Sequence, residues 1–206
     1  MNRTMSLRRI ESKILAGAPG TIYVTSDFTD IASADTANRI LQRLENKGVL
    51  RRIIRGVYER PEYSEFLQEY VAPSPDKVAQ AIARNFGWTI APGGDTALNI
   101  LGLSTQVPAV WAYVSSGPYK EYCFDRVSLK FMHISNKDLT NISDKTALVI
   151  QALKTVGKRR ISETLINRIS SLFTIEEKKQ MMREAKHSTA WVYDVIKDIT
   201  SAAVVA

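Results

Sequence analysis

Residues 33–61 read SADTANRILQRLENKGVLRRIIRGVYERP, and this stretch decides the fold of the first part of the chain. Its apolar residues recur at intervals of three and four, which predicts a helix with one buried face: Ala37, Ile40, Leu41 and Leu44. Ser33 is a suitable N-cap for this helix. Gly48 suits the left-handed position that follows a helix end.

A predicted hairpin follows the helix. Residues 50–54 and 57–58 are rich in β-branched and aromatic side chains, and Arg55-Gly56 between them favours a tight turn. Pro61 closes the stretch. The stretch therefore predicts a helix followed by an arginine-rich hairpin, and the residues around it indicate which motif the two elements belong to.

The residues before this stretch complete the motif. Residues 7–14 have helical apolar spacing, and residues 22–24 predict a short extended segment. Thr25 or Ser26 then caps a short second helix, and a small-residue turn leads to Ser33. Three helices and a hairpin in about 60 residues predict a winged helix-turn-helix, whose third helix enters the DNA major groove.

The outward face of the third helix carries side chains that can read bases. Asn and Gln bind adenine edges, and Arg binds guanine with two hydrogen bonds. The predicted contacts from this helix are Thr36, Asn38, Arg39, Gln42 and Arg43.

Three wing arginines, Arg51, Arg52 and Arg55, are predicted to meet phosphates, which fix register and give salt-dependent affinity. Two other interpretations stay open at this point. The arginines are solvated, or the module docks protein instead of DNA.

The charge distribution favours a polyanionic partner. The chain of 206 residues has a net charge of +7 and a pI near 9.5. Residues 1–60 contain eleven Lys or Arg and six Asp or Glu, a net of +5, whereas the other 146 residues carry +2. The excess positive charge therefore lies in the predicted DNA-binding part.

The remainder predicts a second, mixed domain. Strand-like runs at residues 109–114, 119–124 and 127–132 precede four predicted helices between residues 145 and 199. Asp95 is predicted to cap a brief helix, and residues 61–73 read as a connecting segment. The predicted fold class is α+β: an N-terminal winged helix-turn-helix (1–62), then an α/β domain with a small sheet and a helical C-terminal tail (63–206).

Residues suited to catalysis or metal binding are sparse. The two histidines, His133 and His187, lie far apart in the sequence, so we predict no metal and no cofactor. Cys123 lies in a strand-like run and is expected to be buried; as a single cysteine it also indicates a reducing, cytoplasmic location. The glycines before Asp95 match neither a Walker loop nor GxGxxG. Lys154, Lys158, Arg159 and Arg160 form a second basic cluster, either a solvated helix end, a phosphate contact or a docking patch.

Two stretches carry a resemblance to a known family. LQRLENKGVLRRIIRGVYERP (41–61) resembles the winged helix of AbiEi-type antitoxins, and GGDTALNILGLSTQVPAVWAYVSSG (93–117) resembles the signature of their second domain. The resemblance covers nearly the whole chain and is weakest after Asn136.

The resemblance implies a non-enzymatic antitoxin of a type IV toxin–antitoxin, or abortive-infection, pair. Such proteins bind repeats in their own promoter and repress it, and they counteract a nucleotidyltransferase-like toxin. The expected partners are double-stranded DNA and that toxin, with no membrane, and the chain would act as a monomer or weak homodimer. The alternatives are a stand-alone winged-helix regulator, a protein-binding adaptor, or a nuclease or nucleotidyltransferase.

Overall fold

The computed structural model describes residues 3–134, 139 and 141–202, and its contacts divide the chain into two compact units. The first unit comprises Met1–Trp88 with Cys123–Val127, and the second comprises Thr89–Tyr122 with Ser128–Ala206. The boundary predicted from the sequence lies between residues 62 and 63.

The first unit has the element order of a winged helix-turn-helix. Helix α1 is followed by strand β1, a short 3₁₀ turn, helix α2 and the hairpin β2–β3: Arg3–Ala16, Ile22–Val24, Thr25–Phe28, Ala34–Asn46, Arg51–Ile54 and Val57–Glu59. The three strands form an antiparallel sheet in the order β1-β3-β2. The predicted second helix is thus a single 3₁₀ turn, with the Asp27 carboxylate accepting a hydrogen bond from the Val24 amide at 2.9 Å.

Local chemistry sets the ends of α2. The Ser33 hydroxyl accepts a hydrogen bond from the Thr36 amide at 3.4 Å, and Gly48 adopts a left-handed conformation with φ 74°. The predicted apolar face of α2 is buried in the core of this unit, together with residues from α1 and the 3₁₀ turn: Ile10, Ile14, Phe28, Ala37, Ile40, Leu41 and Leu44. The predicted N-cap, C-terminal glycine and buried face of α2 are all confirmed.

Residues 61–73 are more ordered than a connecting segment. They contain two short antiparallel strands, β4 (Tyr63–Ser64) and β5 (Glu69–Tyr70). Helix α3 (Pro75–Phe86) then begins with Ser74 as N-cap and ends at Gly87, whose φ is 67°. Within the first unit, the Arg84 guanidinium of α3 donates to both carboxylate oxygens of Asp27, at 2.6 and 3.0 Å.

The second unit contains most of a small mixed sheet, of which residues 123, 124 and 127 are grouped with the first unit. Strand β6 and helix α4 lead to three further strands: Ile90–Pro92, Gly94–Ile100, then β7 to β9 at Trp111–Ser115, Lys120–Phe124 and Val127–His133. The strand order is β6-β7-β9-β8, with β6 antiparallel and β9 parallel to β7. Asp95 is not the cap of α4, because Gly93 occupies that position and Asp95 lies within the first turn.

Residues 141–202 contain four α-helices, α5 to α8, at Asp144–Val156, Glu163–Ser171, Ile175–Glu184 and Ala190–Ser201. A capping box begins α7, since Thr174 and Glu177 exchange backbone and side-chain hydrogen bonds. No helix in the described part of the chain has the length and apolar character needed to cross a membrane. The helices and small sheets of the two units confirm the predicted α+β class with a helical C-terminal tail.

Helix α5 has a carboxylate at its N-terminus. The Glu184 side chain accepts hydrogen bonds from the Ser143 amide at 2.9 Å, the Ser143 hydroxyl at 2.7 Å and the Thr146 hydroxyl. Burial raises the pKa of Glu184, but these bonds and one from Gln180 outweigh burial and lower it to about 2. Glu184 therefore stays ionised and joins the end of α7 to the start of α5.

The expectation that Cys123 is buried is wrong. Cys123 is exposed on β8, whereas its neighbour Phe124 is buried. Successive residues of a strand point to opposite faces, so the burial of Phe124 leaves Cys123 on the outer face.

Candidate nucleic-acid interface

The outward face of α2 is the first part of the candidate interface. Asn38, Arg39, Gln42 and Arg43 are all exposed, while Thr36 is half-buried. Arg39 forms an ion pair with Asp35, one turn earlier in the helix, at 3.0 Å. Both side chains are mostly exposed, so this pair is weak and Arg39 can exchange it for a base or phosphate.

Two of the predicted base contacts are positioned by neighbouring side chains. The Thr36 hydroxyl accepts a hydrogen bond from the Ser33 hydroxyl at 3.0 Å. The Asn38 amide oxygen accepts one from the Thr25 hydroxyl of the 3₁₀ turn. Asn38 is therefore oriented before any ligand arrives, and its amide nitrogen remains available as a donor.

The wing, defined as residues 51–59, is the second part. Gly56 has φ 81°, as the tight turn between β2 and β3 requires, and Arg52 and Arg55 are exposed. The pairing of β2 with β3 shifts between Arg52 and Ile54, which marks a bulge in β2. Two of the three predicted phosphate contacts therefore lie on the solvent side of the wing.

Arg51 occupies a different environment from Arg52 and Arg55. Its guanidinium pairs with the buried carboxylate of Glu59 on β3, with Nε 3.0 Å from Oε2. It also donates to the carbonyl oxygen of Val71 at 2.8 Å. The structure thus places Arg51 as a tie inside the first unit, where sequence analysis predicted a phosphate contact.

Tyr58 adds an internal contact to the same wing. It lies directly opposite Arg52 in the β2–β3 pairing and is buried. Burial raises the pKa of the Tyr58 hydroxyl, and the nearby positive charge of Arg52 acts in the opposite direction.

A cavity of about 330 Å³ lies between the start of α1 and the outward face of α2. Thr4, Leu7 and Ile40 line it together with Arg39 and Arg43. Thr4 and Leu7 were not predicted as neighbours of the candidate interface, because their proximity to α2 depends on how α1 packs. The helix-spaced Leu7 predicted only that this part of α1 faces the core.

The basic turn, residues 158–160 after α5, differs from the wing because one of its arginines binds the end of a helix. The Arg160 guanidinium donates to the carbonyl oxygens of Val156 at 2.7 Å and Thr155 at 3.3 Å. Arg160 therefore caps the C-terminus of α5, where a positive charge is favourable. Lys158 and Arg159 are exposed.

Metal-binding chemistry is not apparent in residues 3–134, 139 and 141–202, which hold no group of three or more His, Cys, Asp or Glu suited to an ion. His133 lies with Nδ1 2.9 Å from the carbonyl oxygen of Gly117, within hydrogen-bond distance. The assembled chemistry of the first unit is amide and guanidinium groups on a helix and on an adjacent hairpin. In protein–DNA complexes, groups of this kind bind phosphates and base edges.

Comparison with known proteins gives a family without an assigned activity. The chain matches the family described as "Family of unknown function (DUF6088)" over residues 9–181, so it belongs to that family. A search of curated proteins found no match.

Proposed function

We propose that this DUF6088 protein is a DNA-binding antitoxin that represses its own promoter in a type IV toxin–antitoxin operon. The observation that carries the proposal is the exposed, amide- and guanidinium-bearing face of α2, next to a wing that exposes Arg52 and Arg55. In a winged helix-turn-helix these two surfaces are the ones that meet the major groove and the phosphates. The protein acts in the cytoplasm on double-stranded DNA and performs no catalysis of its own.

The division of labour follows from the chemistry of each side chain. Arg39, Asn38 and Gln42 on α2 supply base contacts. Arg52 and Arg55 supply phosphate contacts, which release counterions and make affinity depend on salt. Arg51 serves the wing indirectly by neutralising Glu59.

The antitoxin part of the proposal depends on the resemblance of residues 93–117 to AbiEi-type proteins. These residues include α4 and β7 of the second unit and expose Ile100, Val107 and Val110, at 40%, 77% and 43%. Exposed apolar side chains can contribute to a surface that binds protein when they lie together in one patch. We assign the toxin-counteracting role to this unit.

The test of DNA binding is an anisotropy titration of the purified protein against its own upstream DNA at two salt concentrations, with scrambled DNA as competitor. Tight, salt-dependent binding that survives the competitor supports the repressor. Equal, weak binding to both DNAs contradicts it.

The test of the antitoxin role is co-expression with the product of the neighbouring gene. Rescue of growth by the wild type, but not by Val107→Asp, supports a direct role of the second unit. A variant with Arg39→Ala and Arg55→Ala tests whether this role needs DNA binding. If it rescues growth as well as the wild type does, toxin counteraction is independent of repression.

A further inference from the structure

The small hairpin after the wing exposes an unusual amount of apolar surface. This acidic hairpin, residues 62–71, pairs Tyr63 with Tyr70, whose rings meet edge to face with centroids 5.3 Å apart. At its tip Phe66 is 94% exposed and Leu67 is 57% exposed. An isolated two-stranded hairpin has little stability of its own, and exposed aromatic tips are typical of interaction sites.

The hairpin is also acidic, in a chain whose net charge is +7. It carries Glu62, Glu65 and Glu69, all exposed, and residues 61–76 include no Lys or Arg. Three carboxylates around apolar side chains repel DNA. A surface that binds this hairpin should therefore carry positive charge together with apolar or small side chains.

The base of the hairpin is fixed to the wing. The Val71 amide donates to the carbonyl oxygen of Glu62 at 2.8 Å, and the Val71 carbonyl oxygen accepts from Arg51. The tip is therefore held in place as a projection, which lowers the entropy lost when it docks.

A surface with the complementary chemistry lies on α1 of the same unit. This α1 groove has a volume of about 500 Å³ and is lined by side chains of α1 and of the segment before α2: Arg8, Arg9, Ser12, Lys13, Ala16, Asp30 and Ile31. Arg8 and Arg9 are exposed, whereas Lys13 pairs with Asp30 at 3.5 Å, and the side chains of Ser12 and Ala16 in the groove are small. Leu15, beside it in the helix, is 53% exposed.

We propose that the acidic hairpin of one copy docks in the α1 groove of a second copy, and that the second copy reciprocates to form a closed pair. Phe66 and Leu67 bury apolar surface against Leu15 and the small side chains of the groove. Glu65 and Glu69 lie opposite Arg8 and Arg9 of the other copy. Reciprocal contacts of this kind produce a twofold dimer.

The first experiment measures mass by sedimentation equilibrium at low salt, without DNA, so its result does not depend on the proposed repressor function. The wild type should dimerise below about 100 µM, where an interface with Kd ~10 µM is mostly paired. The variant with Phe66→Ser and Leu67→Ser should be monomeric. The matched control with Leu172→Ser and Ile175→Ser, also exposed apolar residues, should dimerise as the wild type does.

The second experiment exchanges the charges. One variant carries Glu65→Lys and Glu69→Lys, and the other carries Arg8→Glu and Arg9→Glu. Each alone places like charges opposite each other and should be monomeric, whereas an equimolar mixture should form a heterodimer in which both contacts are again opposite in charge. Circular dichroism of each variant checks that it is folded.

Several outcomes overturn the proposal. One is a wild type that stays monomeric at about 100 µM; another is a dimer unaffected by the tip substitutions. Failure of the two charge variants to pair on mixing also overturns it. If Arg8→Glu with Arg9→Glu weakens DNA binding and leaves the mass unchanged, the α1 groove is a DNA contact.

Discussion

Two of the positively charged clusters in the described residues, the surface of α2 with the wing and the basic turn, differ in what surrounds them. On the surface formed by α2 and the wing, Arg51 is held by the buried carboxylate of Glu59 and Arg39 pairs with the exposed Asp35, while Arg52 and Arg55 are exposed. In the basic turn, Arg160 caps α5, whose other end is held by the Glu184 carboxylate. Similar residue types thus remain exposed in the candidate interface of one unit and cap a helix C-terminus in the other.

Among the substitutions that test this contrast, Arg51→Ala is expected to have the largest effect, which is on stability. Arg51→Ala leaves the buried Glu59 carboxylate unpaired, and we expect the free energy of unfolding to fall by about 3 kcal/mol. Chemical denaturation measures it.

A double variant, Arg51→Met with Glu59→Leu, removes both charges and should recover most of the loss. If Arg51→Ala keeps wild-type stability but weakens DNA binding, Arg51 is a phosphate contact after all.

Arg39→Ala addresses base reading on α2. We expect it to cost about 1–3 kcal/mol of binding free energy on the specific site, because a bidentate contact to a base is lost. Affinity for scrambled DNA should change much less. An equal loss on both DNAs would assign Arg39 to a phosphate. Competition titrations at fixed salt distinguish the two results.

Glu184→Gln tests the structural charges around α5. The pKa of Glu184 is lowered from its ordinary value of 4.5 to about 2 in the folded protein. Its stabilisation is therefore complete above pH 4.5 and is lost as the pH falls towards 2. Above pH 4.5 we expect the variant to be less stable by about 1 kcal/mol.

The difference between wild type and Glu184→Gln should shrink as the pH falls through this window. Unfolding measured at several pH values between 2 and 7 follows it. A difference that stays constant across the window would contradict an ionised Glu184 at the start of α5.

The smallest effects compare one arginine from each cluster. Arg55→Ala should weaken binding to every DNA sequence and lower the slope of log affinity against log salt by about one, because one phosphate contact is lost. Arg159 in the basic turn is also exposed, and Arg159→Ala should leave the slope unchanged. Equal reductions in both variants would make the basic turn a second DNA contact and remove the contrast.

Helix caps, turn residues and apolar spacing predicted most elements of the first unit, but they did not predict its ion pairs. Ser33, Gly48 and the Arg55-Gly56 turn act through their own backbone, so the sequence is sufficient to place them. The partnership of Arg51 with Glu59 depends on strand register, and its bond to Val71 depends on a hairpin that sequence analysis missed. That hairpin has two-residue strands and a turn in which Gln68, at φ 54°, takes the left-handed position that usually indicates glycine.

The candidate interface shows the same limit. The exposed face of α2 follows from helical periodicity, and its exposure was predictable. The Asn38 bond to Thr25 and the cavity beside Thr4 arise from packing between separate elements, which spacing along the chain does not encode.

The position of strand β2 in its sheet affects how the protein behaves at high concentration. It lies at the edge of the three-stranded sheet, where a row of backbone groups could pair with a strand of another molecule and start aggregation. The exposed Arg52 and the bulge that follows it obstruct such pairing, because charge and irregular spacing both disfavour an added strand. Replacing Arg52 with a β-branched apolar residue should therefore reduce solubility, independently of any effect on DNA.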